Sequence, residues 1–135
     1  MITVQATVNA SLDHVWSAYT SPEAIVHWNA ASDDWHTTRA AVDLRVGGAF
    51  CSRMEAKDGS MAFDFEGVYT EVEPMSLLAY QFGERKARVE FTDSPAGVQV
   101  SVTFEPEEMH SLEQQREGWL AILDNFKRYA ESTAN

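Results

Sequence analysis

The sequence predicts an α+β fold in which a curved antiparallel sheet of six to seven strands wraps around one long C-terminal helix. Between residues 41 and 105, six short segments alternate apolar and polar side chains, as half-buried strands do. At most five residues separate one segment from the next, and links this short require neighbouring strands to pair antiparallel. From residue 109 to residue 130, the apolar side chains recur at helical spacing instead. Packing the helix on the sheet is the economical way to bury both apolar surfaces.

The N-terminal part of the chain predicts one strand and two short helices. Residues 2–8 alternate between apolar and polar side chains, which indicates a strand. Ser11 stands immediately before a run with apolar residues on one side, and it is a suitable N-cap for a first helix. Pro22 favours the first turn of a second helix, which we expect to end near Trp28.

The middle of the chain predicts the remaining strands. Residues 29–41 lack a clear period, so we expect them to form a loop or lid that carries Trp35. Turn residues such as Gly47-Gly48 and Asp58-Gly59 separate the segments that follow. The predicted strands cover residues 41–46, 48–56, 61–73, 77–82, 86–92 and 98–105, and the long helix covers residues 109–130.

A curved sheet and a single long helix cannot pack flush, so this arrangement predicts a cavity between them. Aromatic side chains bury much area and leave irregular gaps, and the rings of Trp and Tyr also offer a polar edge to a ligand. The alternative is that these rings only fill the core. The predicted ligand-binding residues are Trp16, Trp28, Trp35, Phe50, Met54, Phe63, Phe65, Tyr69, Phe82, Trp119 and Leu123.

Composition and charge exclude several classes of function. The 135 residues, taken as a single domain over 1–135, carry a formal net charge of −11. This charge argues against a nucleic-acid partner, because such a partner requires clustered Lys and Arg. No apolar run approaches the roughly 20 residues that span a bilayer, and the N-terminus lacks the pattern of a signal peptide. We therefore expect no membrane insertion, a cytoplasmic location, and a monomer or homodimer.

The residues that could carry catalysis or bind a metal form no recognised motif. The single cysteine excludes an internal disulfide, and the four histidines do not stand at the spacings of metal ligands. We therefore expect no metal and no other cofactor, and we assign no catalytic residue. His27 is the candidate for a general acid or base. Tyr69 could orient a ligand, as could Arg53 if it pointed inward, although strand alternation places Arg53 opposite Phe50 and Met54.

Several motifs occur in a particular order and spacing over essentially the whole chain. They are Trp16, residues 19–23 (YTSPE), Trp28, residues 43–50 (DLRVGGAF), residues 53–60 (RMEAKDGS), residues 63–69 (FDFEGVY) and residues 115–126. In this order they resemble the START-like (SRPBCC) superfamily, which has the helix-grip fold typified by the birch-pollen allergen. Within that superfamily, the chain resembles the bacterial branch named after the activator of Hsp90 ATPase.

The resemblance implies three functions, which stay open at this point. The superfamily includes lipid and hormone carriers, aromatase/cyclases of polyketide pathways, and chaperone-associated domains. The favoured function is the binding of a small hydrophobic or amphipathic molecule in the cavity. The alternatives are a cyclase- or hydrolase-type enzyme acting on a hydrophobic substrate, and a protein-interaction module whose partner would be an Hsp90-type chaperone.

Overall fold

Seven strands and three helices make up the structure, a computed structural model that describes residues 1–134. The strands form one sheet in which every pair of neighbours is antiparallel. This arrangement confirms the predicted α+β fold, with a curled sheet against a long C-terminal helix. In chain order the elements are β1 (Ile2–Val8), α1 (Leu12–Thr20), α2 (Pro22–Trp28), β2 (Trp35–Val42), β3 (Ala49–Ala56), β4 (Ala62–Glu73), β5 (Leu77–Phe82), β6 (Arg85–Ser94), β7 (Gly97–Phe104) and α3 (Leu112–Thr133).

The order of strands in space determines where the core and the cavity lie. The order across the sheet is β1-β7-β6-β5-β4-β3-β2, so that β1 and β2 form its two edges. α3 packs mainly against β1, and it also contacts α1 and α2. Phe104 on β7 and Phe126 on α3 are fully buried where helix and sheet meet. Because α3 lies towards the β1 edge, the backbones of strands β3 to β5 lie farther from it.

Polar side-chain caps set the starts of α1 and α3. The Ser11 hydroxyl accepts a hydrogen bond from the His14 N–H at 3.2 Å, which confirms Ser11 as the N-cap of α1. Ser111 caps α3 in a capping box with Gln114, and the helix therefore begins at Leu112 rather than at residue 109. Among residues 1–134, no helix combines the length and the apolar character needed to cross a membrane.

The prediction for residues 29–46 was wrong in part. Residues 29–34 form neither helix nor strand, as expected, but residues 35–40 belong to the edge strand β2 instead of to a loop or lid. Residues 41 and 42 lie in β2, whereas residues 43–46 lie in the turn that follows instead of in a strand. The alternation of apolar and polar side chains is hard to see in β2 because its buried residue, Thr37, is polar. The Thr37 hydroxyl donates to the Asn29 carbonyl at 2.6 Å. An irregularity in register between Thr37 and Arg39 interrupts the period further.

The turn after β2 is held against the sheet by β4. Gly47 N–H donates to the Tyr69 carbonyl at 2.8 Å, and Tyr69 N–H donates to the Gly48 carbonyl at 2.9 Å. Gly48 comes so close to Asp43 that a Cβ at residue 48 would lie 2.0 Å from the Asp43 carbonyl oxygen. The two glycines therefore form a tight turn that fixes the backbone of Tyr69, and the other predicted strands agree with β3 to β7 within about two residues.

Candidate functional site

A cavity of about 490 Å³ lies between α3, α2 and the concave face of the sheet. Its walls are mostly aromatic and aliphatic, and exposed residues such as Ala31 and Phe63 show where it reaches the surface. The lining residues are Tyr19, Ile25, Trp28, Asn29, Ala31, Trp35, Phe50, Ser52, Met54, Phe63, Phe65, Tyr69, Leu78, Tyr80, Phe82, Arg85, Val102, Gly118, Trp119, Ile122 and Leu123. A pocket of this size and character suits a small apolar molecule.

All the predicted ligand-binding residues except Trp16 line this cavity. Trp16 lies in the core on α1, where its ring meets Phe91 edge-on with centroids 5.2 Å apart. Trp16 and Tyr19 stand three residues apart on the same helix, and the helical period does not distinguish which of them faces the cavity. The structure places Tyr19 there. That the lining residues bind a ligand stays a prediction.

Strand alternation positions the walls formed by β3 and β4. Phe50, Ser52 and Met54 share one face of β3, and all three line the cavity. On β4, Phe63, Phe65 and Tyr69 lie on the same side of the sheet and also line the cavity. The pairing of β4 with β3 stays regular through Gly67, and the register of β4 with β5 shifts only after Tyr69. 

The α3 wall is fixed by ring stacking. The indole of Trp119 stacks on Phe104, with centroids 4.0 Å apart and planes 9° from parallel. The same indole lies 5.7 Å from the Phe82 ring. One residue earlier, a Cβ on Gly118 would meet no atom within 4 Å, so the helix surface at the cavity is open at that point.

Three tyrosines present polar groups to the cavity. Tyr19, Tyr69 and Tyr80 all belong to the cavity lining, and none of the hydrogen bonds among residues 1–134 involves their hydroxyls. Burial raises the pKa of Tyr69 to about 12, and burial is also the main reason that the pKa of Tyr80 lies well above its usual value. Burial first, and then the nearby Tyr69, also raises the pKa of Tyr19. All three hydroxyls therefore stay protonated at neutral pH and can donate hydrogen bonds.

Arg85 is a lining residue that the sequence analysis missed. Its Nε donates to the Glu105 carbonyl at 3.0 Å, and its guanidinium carbon lies 4.7 Å from the centroid of the Phe82 ring. The predicted strand began at residue 86, which left Arg85 in a turn. Arg85 stands two residues before Ala87 and four before Val89, which are both buried, so strand alternation places all three on the inner face.

Arg53 lies on the outer face of the sheet, so it does not meet the condition under which it could orient a ligand in the cavity. Its guanidinium is 3.4 Å from carboxylates of both Glu55 and Asp64. Strand alternation had predicted this outward position.

Asp64 also belongs to the candidate metal-binding group of the described residues, in which ligand atoms of Cys51, Asp64 and Glu66 lie within 4.8 Å of one another. Burial, and then these two carboxylates, raises the pKa of the Cys51 thiol, so that the thiol is protonated at neutral pH.

The four histidines, all among the described residues, lie outside the cavity lining. His27 stacks on Tyr129 of α3, with centroids 5.5 Å apart and planes 7° from parallel. The His14 Nε2 lies 2.9 Å from both the Ala130 carbonyl and the Thr133 hydroxyl. These contacts join the helices to one another, so neither ring faces the space where a ligand would sit.

Known proteins resemble this chain over nearly its full length. Residues 9–131 match the family described as activator of Hsp90 ATPase homolog 1-like protein. No curated protein matches the chain. The solution structure of an AHSA1-like protein from Aeromonas hydrophila is 47% identical, with a TM-score of 0.92 over 97% of this chain and 92% of that one.

Two further solved structures extend the likeness. A protein from Cytophaga hutchinsonii is 44% identical, with a TM-score of 0.84 over 97% of this chain and 92% of that one. A protein from Nitrosomonas europaea, at 21% identity and a TM-score of 0.80 over 97% of this chain and 94% of that one, shares the fold. With the family match covering most of its length, the chain belongs to the activator of Hsp90 ATPase homolog 1-like family.

Proposed function

We propose that this protein binds a small hydrophobic or amphipathic molecule in the cavity between α3 and the sheet. The observation that supports it is the cavity of about 490 Å³ with mainly aromatic and aliphatic walls. Excluding water from such walls supplies the affinity, which grows with the apolar area that the ligand covers. The unpartnered hydroxyls of Tyr19, Tyr69 and Tyr80 supply hydrogen bonds that orient the ligand.

The titratable groups of the cavity favour binding over acid–base catalysis. General acid–base catalysis requires a group that gains or loses a proton near neutral pH. The lining residues include no histidine, aspartate or glutamate, and the tyrosine pKa values are raised away from neutrality. For this reason we propose a binding protein rather than a cyclase or hydrolase.

The first test is to search for a ligand. Native mass spectrometry of the protein purified from its own host should detect a co-purifying small molecule. A thermal-shift screen of lipids and aromatic compounds should find molecules that raise the melting temperature in a saturable way, because a ligand that binds only the folded state stabilises it. An empty protein whose melting temperature no compound raises would contradict the proposal.

A cavity-filling variant tests where the ligand binds. Gly118→Phe places a ring in open space at the cavity, where a Cβ meets no atom within 4 Å. We expect this variant to fold and to lose the ligand-dependent rise in melting temperature. The control is Glu117→Phe, which adds the same ring at the adjacent exposed position outside the lining. Equal ligand responses in both variants would place binding elsewhere.

A further inference from the structure

We propose that the molecule bound in this cavity carries a negatively charged oxygen, such as a carboxylate, and that Arg85 binds it. This inference rests on the proposed function and adds the chemical class of the ligand. The apolar body of the ligand would lie among the aromatic rings, and its acidic group would lie beside the guanidinium. The ligand class is thus an amphipathic organic anion.

The charge of the cavity is opposite to the charge of the protein. The chain has 21 acidic residues against 10 lysines and arginines. None of those acidic residues lines the cavity, and Arg85 is the one charged side chain among the lining residues. A cavity lined by one cation and no anion favours an anionic ligand, because the attraction acts where apolar walls lower the effective dielectric constant.

The Arg85 side chain is fixed in place with part of its guanidinium unused. Residue 85 pairs in register with Phe82, and the guanidinium lies over that ring. The Nε bond to the Glu105 carbonyl fixes the plane of the group. Neither Nη group has a hydrogen-bond or ion-pair partner among residues 1–134. Two free NH₂ groups on a planar, fixed cation can each donate to one of the two oxygens of a carboxylate.

Glu105, whose backbone carbonyl accepts the Arg85 Nε bond, uses its carboxylate elsewhere. The Glu105 carboxylate accepts a hydrogen bond from the Lys86 backbone N–H at 2.7 Å and makes no ion pair with Arg85. On the outer face, by contrast, Arg53 lies beside two carboxylates. Arg53 on the outer face is thus paired with carboxylates of the protein, whereas the Nη groups of Arg85 stay available. This difference supports a ligand, rather than a protein side chain, as the partner of Arg85.

The test compares two probes that differ in charge but hardly in shape. Biphenyl-4-carboxylate and biphenyl-4-carboxamide share one apolar body, and isothermal titration calorimetry at neutral pH measures the affinity of each. A charge-assisted bond to Arg85 should make the carboxylate bind about ten-fold more tightly, or better. Arg85→Gln should abolish this preference while the carboxamide still binds. Arg85→Lys, which keeps the charge without the planar fork, should retain part of the preference.

Controls separate this inference from the proposed function. Arg53→Gln removes one positive charge on the outer face and should keep the wild-type preference. Thermal unfolding of each variant checks that it is folded. Equal affinities for the two probes in the wild type would overturn the anion inference and leave the proposed function standing. A preference that survives in Arg85→Gln would also overturn it. Failure of both probes would overturn it too, and the ligand screen then decides the proposed function separately.

Discussion

The ring of Phe50 lies against Gly67 on the neighbouring strand, so closely that a Cβ at residue 67 would be 2.8 Å from Phe50 Cζ. The absent side chain leaves room for the ring. From that position, Phe50 contacts Tyr69 and Tyr80, with ring centroids 5.2 and 5.0 Å away. A glycine on β4 thus determines how an aromatic ring of β3 is placed beside two of the tyrosines in the cavity.

Gly67→Ala should destabilise the protein and disturb this wall. The added Cβ would also lie 2.3 Å from the Gln81 backbone carbonyl oxygen, so that both the ring and the pairing of β4 with β5 must shift. We expect the free energy of unfolding in urea to fall by about 1–3 kcal/mol. An unchanged free energy of unfolding would mean that β4 has more room than the structure shows.

Gly118→Ala should have the opposite effect. Gly118 lies within α3, and a Cβ there meets no atom within 4 Å. Alanine restricts the unfolded chain more than glycine and favours the helix, so we expect the free energy of unfolding to rise by about 0.5–1 kcal/mol. Urea denaturation measures both glycine variants in parallel. A loss of stability here would show that the surface of α3 at the cavity is not open.

Gln115 connects the start of α3 to the segment before it. Its Nε2 donates to the carbonyls of Glu107 and His110 at 3.0 and 2.9 Å, and its Oε1 accepts from the Glu107 N–H at 2.8 Å. Gln115 is only 8% exposed, so Gln115→Ala removes a buried amide and leaves its part-buried partners on the backbone of residues 107 and 110 without these hydrogen bonds. We expect a loss of about 2–3 kcal/mol in the free energy of unfolding.

The adjacent glutamine is the matched control. Gln114 is exposed and bonds to Ser111 within the capping box. Gln114→Ala should therefore cost about 0.5–1 kcal/mol, less than the change at residue 115. Equal losses in the two variants, measured by urea denaturation, would contradict the role of Gln115 as the residue that holds this segment.

The tyrosines of the cavity should make the fold sensitive to alkali. The pKa of Tyr69 is raised from 10.0 to about 12 by burial, so between these values the unfolded chain loses a proton that the folded chain keeps. Stability contributed by this group is therefore complete below pH 10 and is lost as the pH rises towards 12. Each pKa unit corresponds to about 1.4 kcal/mol.

Tyr69→Phe isolates this contribution from the other groups that titrate in alkali. The variant keeps the aromatic ring and removes the hydroxyl group that ionises. The free energy of unfolding, measured below pH 10 and again near pH 12, should fall less in Tyr69→Phe than in the wild type. Parallel declines in the two proteins would show that Tyr69 is not buried enough to shift its pKa.

The sequence predicted the fold better than the site, for physical reasons visible at particular residues. Local signals such as the Ser11 cap and Pro22 act over a few residues, and the elements that they start were confirmed. β2 was missed because the buried residue of this edge strand is Thr37, a polar residue whose hydroxyl bonds to the carbonyl of Asn29. Such a bond leaves no hydrophobic period to detect.

Within the site, alternation located side chains on strands but not on α1 or in turns. Phe63 and Phe65 line the cavity as predicted, because the period of a strand is short and strict. Trp16 was misplaced because one helix face serves both the core and the cavity. Arg85 was missed because the predicted strand began one residue late, which concealed its place on the inner face.

The placement of the tryptophans gives this protein its own optical reporter. Of the four tryptophans, Trp28, Trp35 and Trp119 line the cavity, whereas Trp16 lies apart from it in the core. An occupant of the cavity changes the polarity around the first three indoles and leaves the surroundings of the fourth unchanged. Intrinsic fluorescence therefore follows occupancy without a label, and in a Trp16→Phe variant all the emission comes from indoles that touch the cavity.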